Sequence, residues 1–421
     1  MIEYFKRKKI NIFGIKISYK EKKQIDIQKN YKNIKRKLKR KIGHKEKIRV
    51  IFLIRETSKW SYDDLYKKME KSDIFEPIIA VSLLTTAVFG IDKTRNNIEE
   101  IYNFFKNLKY NVVYAFDRNN NDFVDLQTLN PDMVFYDQPY ELPEKHSPIC
   151  VSEYALTYFQ NYSYALFNYE NDYAQNFHKF LYKYFVENQI NVERYESYQK
   201  GNSENCTVVG YSKLDKYQDN NITDPKNIWK DSTKTKIIYA PHHSFEETGL
   251  RTATFRENGE FILNLAKQHP ETTWIFKPHP RFKFALLQNN IMNEKEIEKY
   301  YEEWAEIGKI YESGNYFDIF KSSDLMITDC CSFRIEYLPT KNPIITPINE
   351  NSLDFNDIGK QINEICYKTH SNEELEKIFA EIIIKKNDYL KEKRIKTISE
   401  IVKEENVSEK IIENIIRDIK K

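Results

Sequence analysis

The sequence predicts an α/β protein of two domains, each a parallel sheet with helical crossovers, set between a basic N-terminal arm and charged C-terminal helices. Three observations predict it. At 421 residues the chain exceeds what one hydrophobic core usually fills. Short apolar runs of strand length alternate with helical patterns in two successive series, as parallel βαβ units require. Polar stretches, Asn202 to Glu204 and Asp219 to Asp224, lie between the two series and place a boundary near residue 205.

Residues 1–45 are the arm. They carry 17 Lys/Arg against Glu3, Glu21 and Asp26, a net +14, so the other 376 residues balance to −11 within a whole-chain charge of +3. A basic arm on an acidic body suits a polyanionic surface. Nucleic acid is not expected, because the arm lacks a zinc, recognition-helix or RNA-binding signature and the body is acidic. An anionic inner-membrane surface fits better: Lys6 to Lys9 precede the apolar cluster Ile10, Ile12, Phe13, Ile15 and Ile17, and Lys/Arg clusters recur from Lys35 to Lys41. A disordered, solvated tail is the alternative. No stretch approaches the ~20 apolar residues of a membrane span, and no signal-peptide core is present, so a cytoplasmic protein, peripheral on the inner face of the cell membrane, is expected.

The first domain, residues 46–205, opens with the apolar strand Arg49 to Ile54. A helical segment follows at Tyr62 to Met69, then an apolar run at Pro77 to Leu84, a helix at Asn97 to Leu108, a strand at Val112 to Phe116, and a strand at Asp132 to Tyr136 ending in Asp137-Gln138-Pro139. Ile149 to Val151 reads as a further strand and the Tyr/Phe-rich Tyr173 to Glu187 as a helix. The second domain, residues 206–370, begins at Cys206 to Gly210. Its strands are Ile237 to Tyr239, Thr273 to Phe276, Lys309 to Tyr311, Leu325 to Thr328 and Pro343 to Thr346; its helices are Phe255 to Gln268, Glu294 to Ile307, Phe317 to Ser322 and Phe333 to Leu338. In residues 371–421, Glu373 to Lys386 and Ile395 to Lys420 are charged helices with apolar residues at helical spacing.

The chemistry is expected where three of these strands end in polar turns. Parallel strands deliver their carboxyl-end loops to one edge of a sheet, so Ala240-Pro241-His242-His243-Ser244, Lys277-Pro278-His279-Pro280-Arg281 and Asp329-Cys330-Cys331-Ser332 share one crevice. Lys277, His279 and Arg281 combine two cations and an imidazole, with prolines stiffening the turn, and suit an anion. Ser332 opens a helix whose free N–H groups favour phosphate; the alternative is that Ser332 or Asp329 merely caps it. Glu336, one turn in, is placed to meet a ribose hydroxyl or to sit on the surface. Two adjacent histidines are not expected to face the crevice together, and His242 is preferred over His243. Glu246, Glu247 and Arg251 read as a solvated loop. Walker, GxGxxG, GxSxG and HExxH motifs are absent, as is an Asp-x-Asp triplet, which leaves a metal-free transferase that needs no cofactor. The five cysteines show no CxxC spacing and read as reduced thiols.

Four pieces in order resemble a known family. Val208-Val209-Gly210-Tyr211-Ser212-Lys213-Leu214-Asp215, Tyr239-Ala240-Pro241, Lys277-Pro278-His279-Pro280 and Ser323 to Ser332 with Tyr337 and Asn342-Pro343-Ile344-Ile345 resemble the CDP-glycerol glycerophosphotransferases of teichoic-acid and capsule synthesis. The resemblance spans about residues 205–346. It implies two Rossmann-like domains facing a central cleft, the GT-B arrangement, with a CDP-linked donor on the second. It further implies that His279 acts on the donor phosphates, Ser332 and its neighbours Thr328, Asp329 and Cys331 cradle the diphosphate, Glu336 stands near the ribose, and Lys277, Arg281 and His242 complete the binding set. The group transferred would be a phosphopolyol, glycerol phosphate first, and the acceptor a capsule or teichoic-acid-like polysaccharide, or a lipid-linked form of it. This chain departs from the pattern: Cys330-Cys331-Ser332 replaces Tyr-Ser-Ser, Glu336 replaces Asp, and the His-Gly dipeptide that supplies the family's base is missing. Asp137 is then the first candidate base, with Glu153 and His146 next. A nucleotide-sugar glycosyltransferase on the same fold, or a non-catalytic capsule-assembly scaffold, are the alternatives.

Overall fold

The computed structural model describes residues 2–12, 15–88, 97–170, 173–201, 203–218, 223–246, 249–312 and 316–421, without the side chains of 2–12, 15–21 and 23. Phe13, Asn202, residues 219–222 and Glu247, named above, lie outside the described residues. The chain forms two compact units: Met1–Tyr162 with Glu170–Lys213 and Asn406–Lys421, and Ser163–Tyr169 with Leu214–Glu405.

The first unit holds a seven-stranded sheet in the spatial order Cys206–Val208, Lys183–Val186, Leu156–Gln160, Met133–Tyr136, Ile48–Ile54, Phe75–Val81, Val112–Tyr114, with every pair parallel. Its central strands are continuous apolar runs, Ile51 to Ile54 and Met133 to Tyr136 being wholly buried, as expected of strands covered on both faces. The second unit holds a six-stranded parallel sheet in the order Gly308–Ile310, Thr272–Phe276, Thr235–Ala240, Leu325–Thr328, Ile344–Pro347, Tyr367–Thr369. In both sheets the first strand lies between the second and the fourth. Chain direction across the sheet therefore reverses between strands one and four, and such a switch point leaves a crevice at the strands' carboxyl ends.

Several expectations are corrected. The loose-tail alternative does not hold for the described part of the arm: Ile2–Ile12 pairs antiparallel with Ile15–Ile25, and Ile27–Gly43 is a helix. That helix buries Ile27, Tyr31, Ile34 and Leu38 in the first core, and its Lys35 and Lys37 pair with Asp418 and Asp132 at 3.1 and 3.2 Å. Ile149 to Val151 is part of a short helix, Pro148–Val151, because Ser147 caps it and Pro148 takes the first position, where no N–H is needed. Tyr173 to Glu187 is not one helix: a turn of helix at Asn176–Lys179 gives way to the strand Lys183–Val186, which inserts between two others. Cys206–Val208, expected to open the second domain, is the edge strand of the first sheet, with Tyr184 opposite Cys206. The C-terminal pattern Ile395 to Lys420 breaks at Asn406, which takes a left-handed φ of +54°. Its second half, Val407–Lys420, buries Val407, Ile411, Ile415 and Ile419 in the first core. No helix among the described residues is long and apolar enough to cross a membrane.

Candidate functional site

In the second unit the switch point lies between Thr235–Ala240 and Leu325–Thr328. Asp329, the first residue after the latter strand, is 3% exposed and takes three donors: the N–H of His242 at 2.6 Å, and the N–H and hydroxyl of Thr254 at 2.7 and 2.9 Å. Burial holds its carboxyl above the ordinary aspartate value, opposed by these hydrogen bonds. Asp329 thus ties together the loop after the first strand, the start of the Phe255–Gln268 helix and the end of the fourth strand. Both of its oxygens are engaged by these donors. Thr328 is also internal: its hydroxyl donates to the Ala240 carbonyl at 2.6 Å and accepts the Cys330 N–H at 3.0 Å.

His242 is set by this latch. Its Nδ1 accepts the Ser244 N–H at 3.3 Å and lies 2.8 and 3.1 Å from the hydroxyls of Ser244 and Thr252. His279 is fixed the same way, its Nδ1 accepting the Arg281 N–H at 3.1 Å. A backbone N–H can only donate, so both rings carry their proton on Nε2. His243 comes to the same place, against expectation. It stacks on His279 with centroids 3.8 Å apart and planes 20° apart, while His242 lies 4.5 Å from His243 and 5.3 Å from His279. Two consecutive residues reach one site because the loop after Ala240 is irregular and does not alternate like a strand.

Ring nitrogens of the three histidines lie within 4.8 Å of one another, close enough to ask whether they would hold a metal ion. The tautomers answer against it. A metal on Nε2 needs that atom's lone pair and a proton on Nδ1, where His242 and His279 each already face a backbone N–H. Two Nε2–H donors suit an anion instead.

Lys277 ends the Thr272–Phe276 strand and is 3% exposed. Its Nζ stands 4.8, 5.1 and 5.7 Å from the ring centroids of Tyr316, Phe333 and Tyr311, an aromatic cage that holds an ammonium with little water. Glu336, expected to meet a ribose hydroxyl or to sit on the surface, is not on the surface. It is fully buried: its carboxylate receives the Tyr316 hydroxyl and its carbonyl that of Tyr217, the latter at 2.7 Å. Cys331 is buried, and burial pushes its thiol up to about 12. Ser332 and Arg281 stay partly exposed; the Ser332 hydroxyl lies 3.4 Å from the Cys330 sulfur, and Arg281 opens the Phe282–Gln288 helix. The structure therefore gathers His242, His243 and His279, and places Thr328, Asp329, Cys331 and Glu336 behind the surface. Sequence reasoning missed Thr254 and Thr252 and named Ser244 only as part of its turn; the one available signal was Thr254, directly before a helical pattern.

Asp137, the first candidate base, lies inside the first unit. It is fully buried, its Oδ1 accepting Arg55 Nε and Nη2 at 3.0 and 2.6 Å and its Oδ2 the Arg55 N–H at 2.7 Å. Both oxygens are engaged and neither reaches solvent. It occupies, in the first sheet, the place Asp329 holds in the second. His146 is likewise enclosed, its Nε2 2.8 Å from the Val124 carbonyl, and burial lowers its pKa to about 4. Glu153 is partly exposed beyond the Pro148–Val151 helix.

Among solved structures, the chain is similar to the UDP-GlcNAc 2-epimerase from Neisseria meningitidis bound to UDP-GlcNAc, with 13% identity over 88% of this chain and 100% of that one, at a TM-score of 0.55. Similar values hold for the S. aureus MnaA–UDP structure (13% identity, 88% and 95% covered, TM-score 0.53) and a glycosyltransferase from Rickettsia africae (13%, 89% and 98%, 0.50). At this identity the likeness shows the fold, two Rossmann-like domains of GT-B type. No curated protein matches in sequence. The sequence pattern of CDP-Glycerol:Poly(glycerophosphate) glycerophosphotransferases matches residues 170–416, more than half of the chain and all of the site built above. The chain belongs to that family of transferases.

Proposed function

We propose that this transferase moves a phosphopolyol, glycerol phosphate in the first instance, from a CDP-linked donor to a hydroxyl of a capsule or teichoic-acid-like polysaccharide. The observation that carries the reading is the pair of imidazoles, His242 and His279, whose Nδ1 atoms are held by backbone donors so that both Nε2–H groups serve as donors at the switch point. The acceptor hydroxyl attacks the β-phosphorus in line, the new P–O bond forms as the bond to CMP breaks, the hydroxyl proton leaves to the departing CMP phosphate or to water, and charge grows on the phosphoryl oxygens. Two preorganised N–H donors beside the Lys277 ammonium and Arg281 meet that charge without reorganising, which is how such sites lower a barrier. Ser332, partly exposed after the fourth strand, offers a further hydroxyl.

Thermal stabilisation by CDP, CDP-glycerol, UDP and GDP tests the donor. A ligand at a hundred times its Kd stabilises by about 2.7 kcal/mol. Cytidine ligands are expected to stabilise selectively and His279→Ala to lose the effect; preference for UDP or GDP would instead indicate sugar transfer. Release of CMP with phosphate gained by the polymer then identifies the reaction.

The same reading places the protein on an anionic membrane surface. Its support is the solvent face of the Ile27–Gly43 helix, where Lys29, Lys32, Arg36, Lys39 and Arg40 are exposed. Each adds about 1 kcal/mol near an anionic leaflet. Co-flotation with phosphatidylglycerol vesicles, lost at high salt, is expected; binding to neutral vesicles alone would refute it.

A further inference from the structure

Glu336 is a fully buried acid that the transfer chemistry above does not use. Its place is an unfavourable one for a carboxylate. It sits in the last turn of the Cys331–Tyr337 helix, where the dipole disfavours negative charge, and burial removes the water that would otherwise solvate it. What meets the carboxylate is the Tyr316 hydroxyl. Burial first, and the Glu336 charge after it, hold the Tyr316 phenol well above its ordinary pKa, so this hydroxyl remains a donor.

The ring that carries this hydroxyl also faces a cation, since Lys277 Nζ stands 4.8 Å from its centroid. Separate segments bring the two charges to opposite ends of one ring. Lys277 is pinned at the end of the Thr272–Phe276 strand by its N–H, which donates to the Tyr239 carbonyl at 2.8 Å. Tyr311 follows the neighbouring strand, its N–H on the Phe276 carbonyl at 2.9 Å. Tyr316 directly precedes the Phe317–Ser322 helix, and its ring lies 5.2 Å from that of Phe333. Phe333 and Glu336 are three residues apart on one helix and so share a face. An ammonium taken out of water keeps its charge only where other groups replace that water. A ring face does so through its quadrupole, and a phenol that gives its O–H to a carboxylate is polarised to do so more strongly. The Tyr316 ring thus couples the buried acid to the buried cation.

We propose that Glu336 is a positioning residue: acting through the Tyr316 hydroxyl, it keeps the Lys277 ammonium charged and held for an anion at the turn that Lys277 shares with His279. The proposal rests on the reading above, in which Lys277 meets phosphate, and it gives Glu336 a different task from contact with a ribose.

The test uses the full chain and three variants: Glu336→Gln, which removes the charge, keeps the shape and still accepts the Tyr316 hydroxyl; Tyr316→Phe, which removes the link; and Lys277→Met. Calorimetric titration follows CDP and inorganic pyrophosphate, an anion with no ribose. Glu336→Gln and Tyr316→Phe should each weaken both ligands by about threefold to tenfold, and neither should weaken them further once Lys277 is replaced. Loss of CDP affinity with pyrophosphate unchanged would assign Glu336 to the ribose and overturn the proposal, as would equal losses with and without Lys277. A second readout needs no ligand. In protein carrying 13Cε-lysine, the Lys277 signal, identified by its absence from Lys277→Met or Lys277→Arg, should be ring-shifted, and should move toward the signals of exposed lysines in both other variants. A Lys277 signal unmoved by Glu336→Gln overturns the proposal. If neither CDP nor pyrophosphate binds the wild-type protein, the phosphate reading fails, and the lysine signal alone decides whether Glu336 positions Lys277.

Discussion

Replacing Asp137 with asparagine separates a structural carboxylate from a catalytic one. Asp137 and Arg55 are both fully buried, 2.6 Å apart at the nearest atoms, and Arg55 also donates to the carbonyls of Gln138 and Tyr140. Burial raises the Asp137 carboxyl above its ordinary value, and Arg55 opposes that. Removing the charge of one partner strands a guanidinium in the core, which costs about 3–5 kcal/mol. The expected result is a large loss of stability in the first unit. Hydrogen exchange of the Ile48–Ile54 and Met133–Tyr136 strands, read by mass spectrometry, should quicken by roughly two to four orders of magnitude if their opening is governed by that unit. The paired replacement Arg55→Met/Asp137→Leu removes both charges and should return exchange to near wild type, because a buried pair replaced by apolar groups is often neutral. An Asp137→Asn protein with unchanged exchange but no transfer activity would refute the reasoning and restore Asp137 as the base.

Acid should weaken the first unit in a definite window. His146, held neutral by burial with a pKa of about 4, binds its proton less readily folded than unfolded, where about 6.5 applies. Its contribution is complete above the unfolded value and is lost as pH falls from about 6.5 to about 4, by about 3 kcal/mol; His146→Gln should flatten urea midpoints over that range, and an unchanged slope would count against it. Gly308 faces Trp274 across the sheet, and a Cβ there would sit 2.3 Å from the Trp274 carbonyl oxygen. Gly308→Ala should therefore cost the second unit about 2 kcal/mol or more by denaturant titration. Cys331 and Cys366, with thiols raised by burial to about 12 and about 11, should resist iodoacetamide until the protein unfolds, and rapid native labelling of either would show a more open site.

What could be read from the chain follows from where its information lies. The central strands were legible because strands buried on both faces are unbroken apolar runs, such as Ile51 to Ile54. The Ile27–Gly43 helix was hidden by its charge: four core residues at a 4-3-4 spacing are scattered among lysines, which dominate composition. Tyr184-Phe185-Val186 was concealed by aromatics on both sides that also fit a helix. Assignment of Val407–Lys420 to the first unit is set by contacts with residues more than 300 positions away, including Lys68 with Glu409 at 2.8 Å, and no local pattern encodes it. At the site, Lys277 and His279 were legible as a charged motif at a strand end. That Thr254, Ser244 and Thr252 orient His242 was not, because their roles exist only after the chain turns back across the sheet.

The two switch points argue for where an anion can bind. Each is closed by a like device: the aspartate after strand four accepts an N–H from the loop that follows strand one, Asp137 from Arg55, the first residue of that loop, at 2.7 Å and Asp329 from His242, the second, at 2.6 Å. The side chain of that loop residue then decides the outcome. In the first unit it is an arginine that turns inward, neutralises the aspartate and takes two carbonyls, so the positive charge is spent within the fold. In the second it is a histidine whose Nδ1 is held by Ser244 and Thr252, while Thr254 satisfies the aspartate in place of a cation. The imidazole is thereby kept out of the latch, with its ring 5.3 Å from that of His279. Exchanging His242 for arginine would copy the first unit's plug into the second: stability should hold or rise while nucleotide stabilisation falls. Retained cytidine binding in His242→Arg would mean that the residue whose N–H the aspartate holds does not control the site.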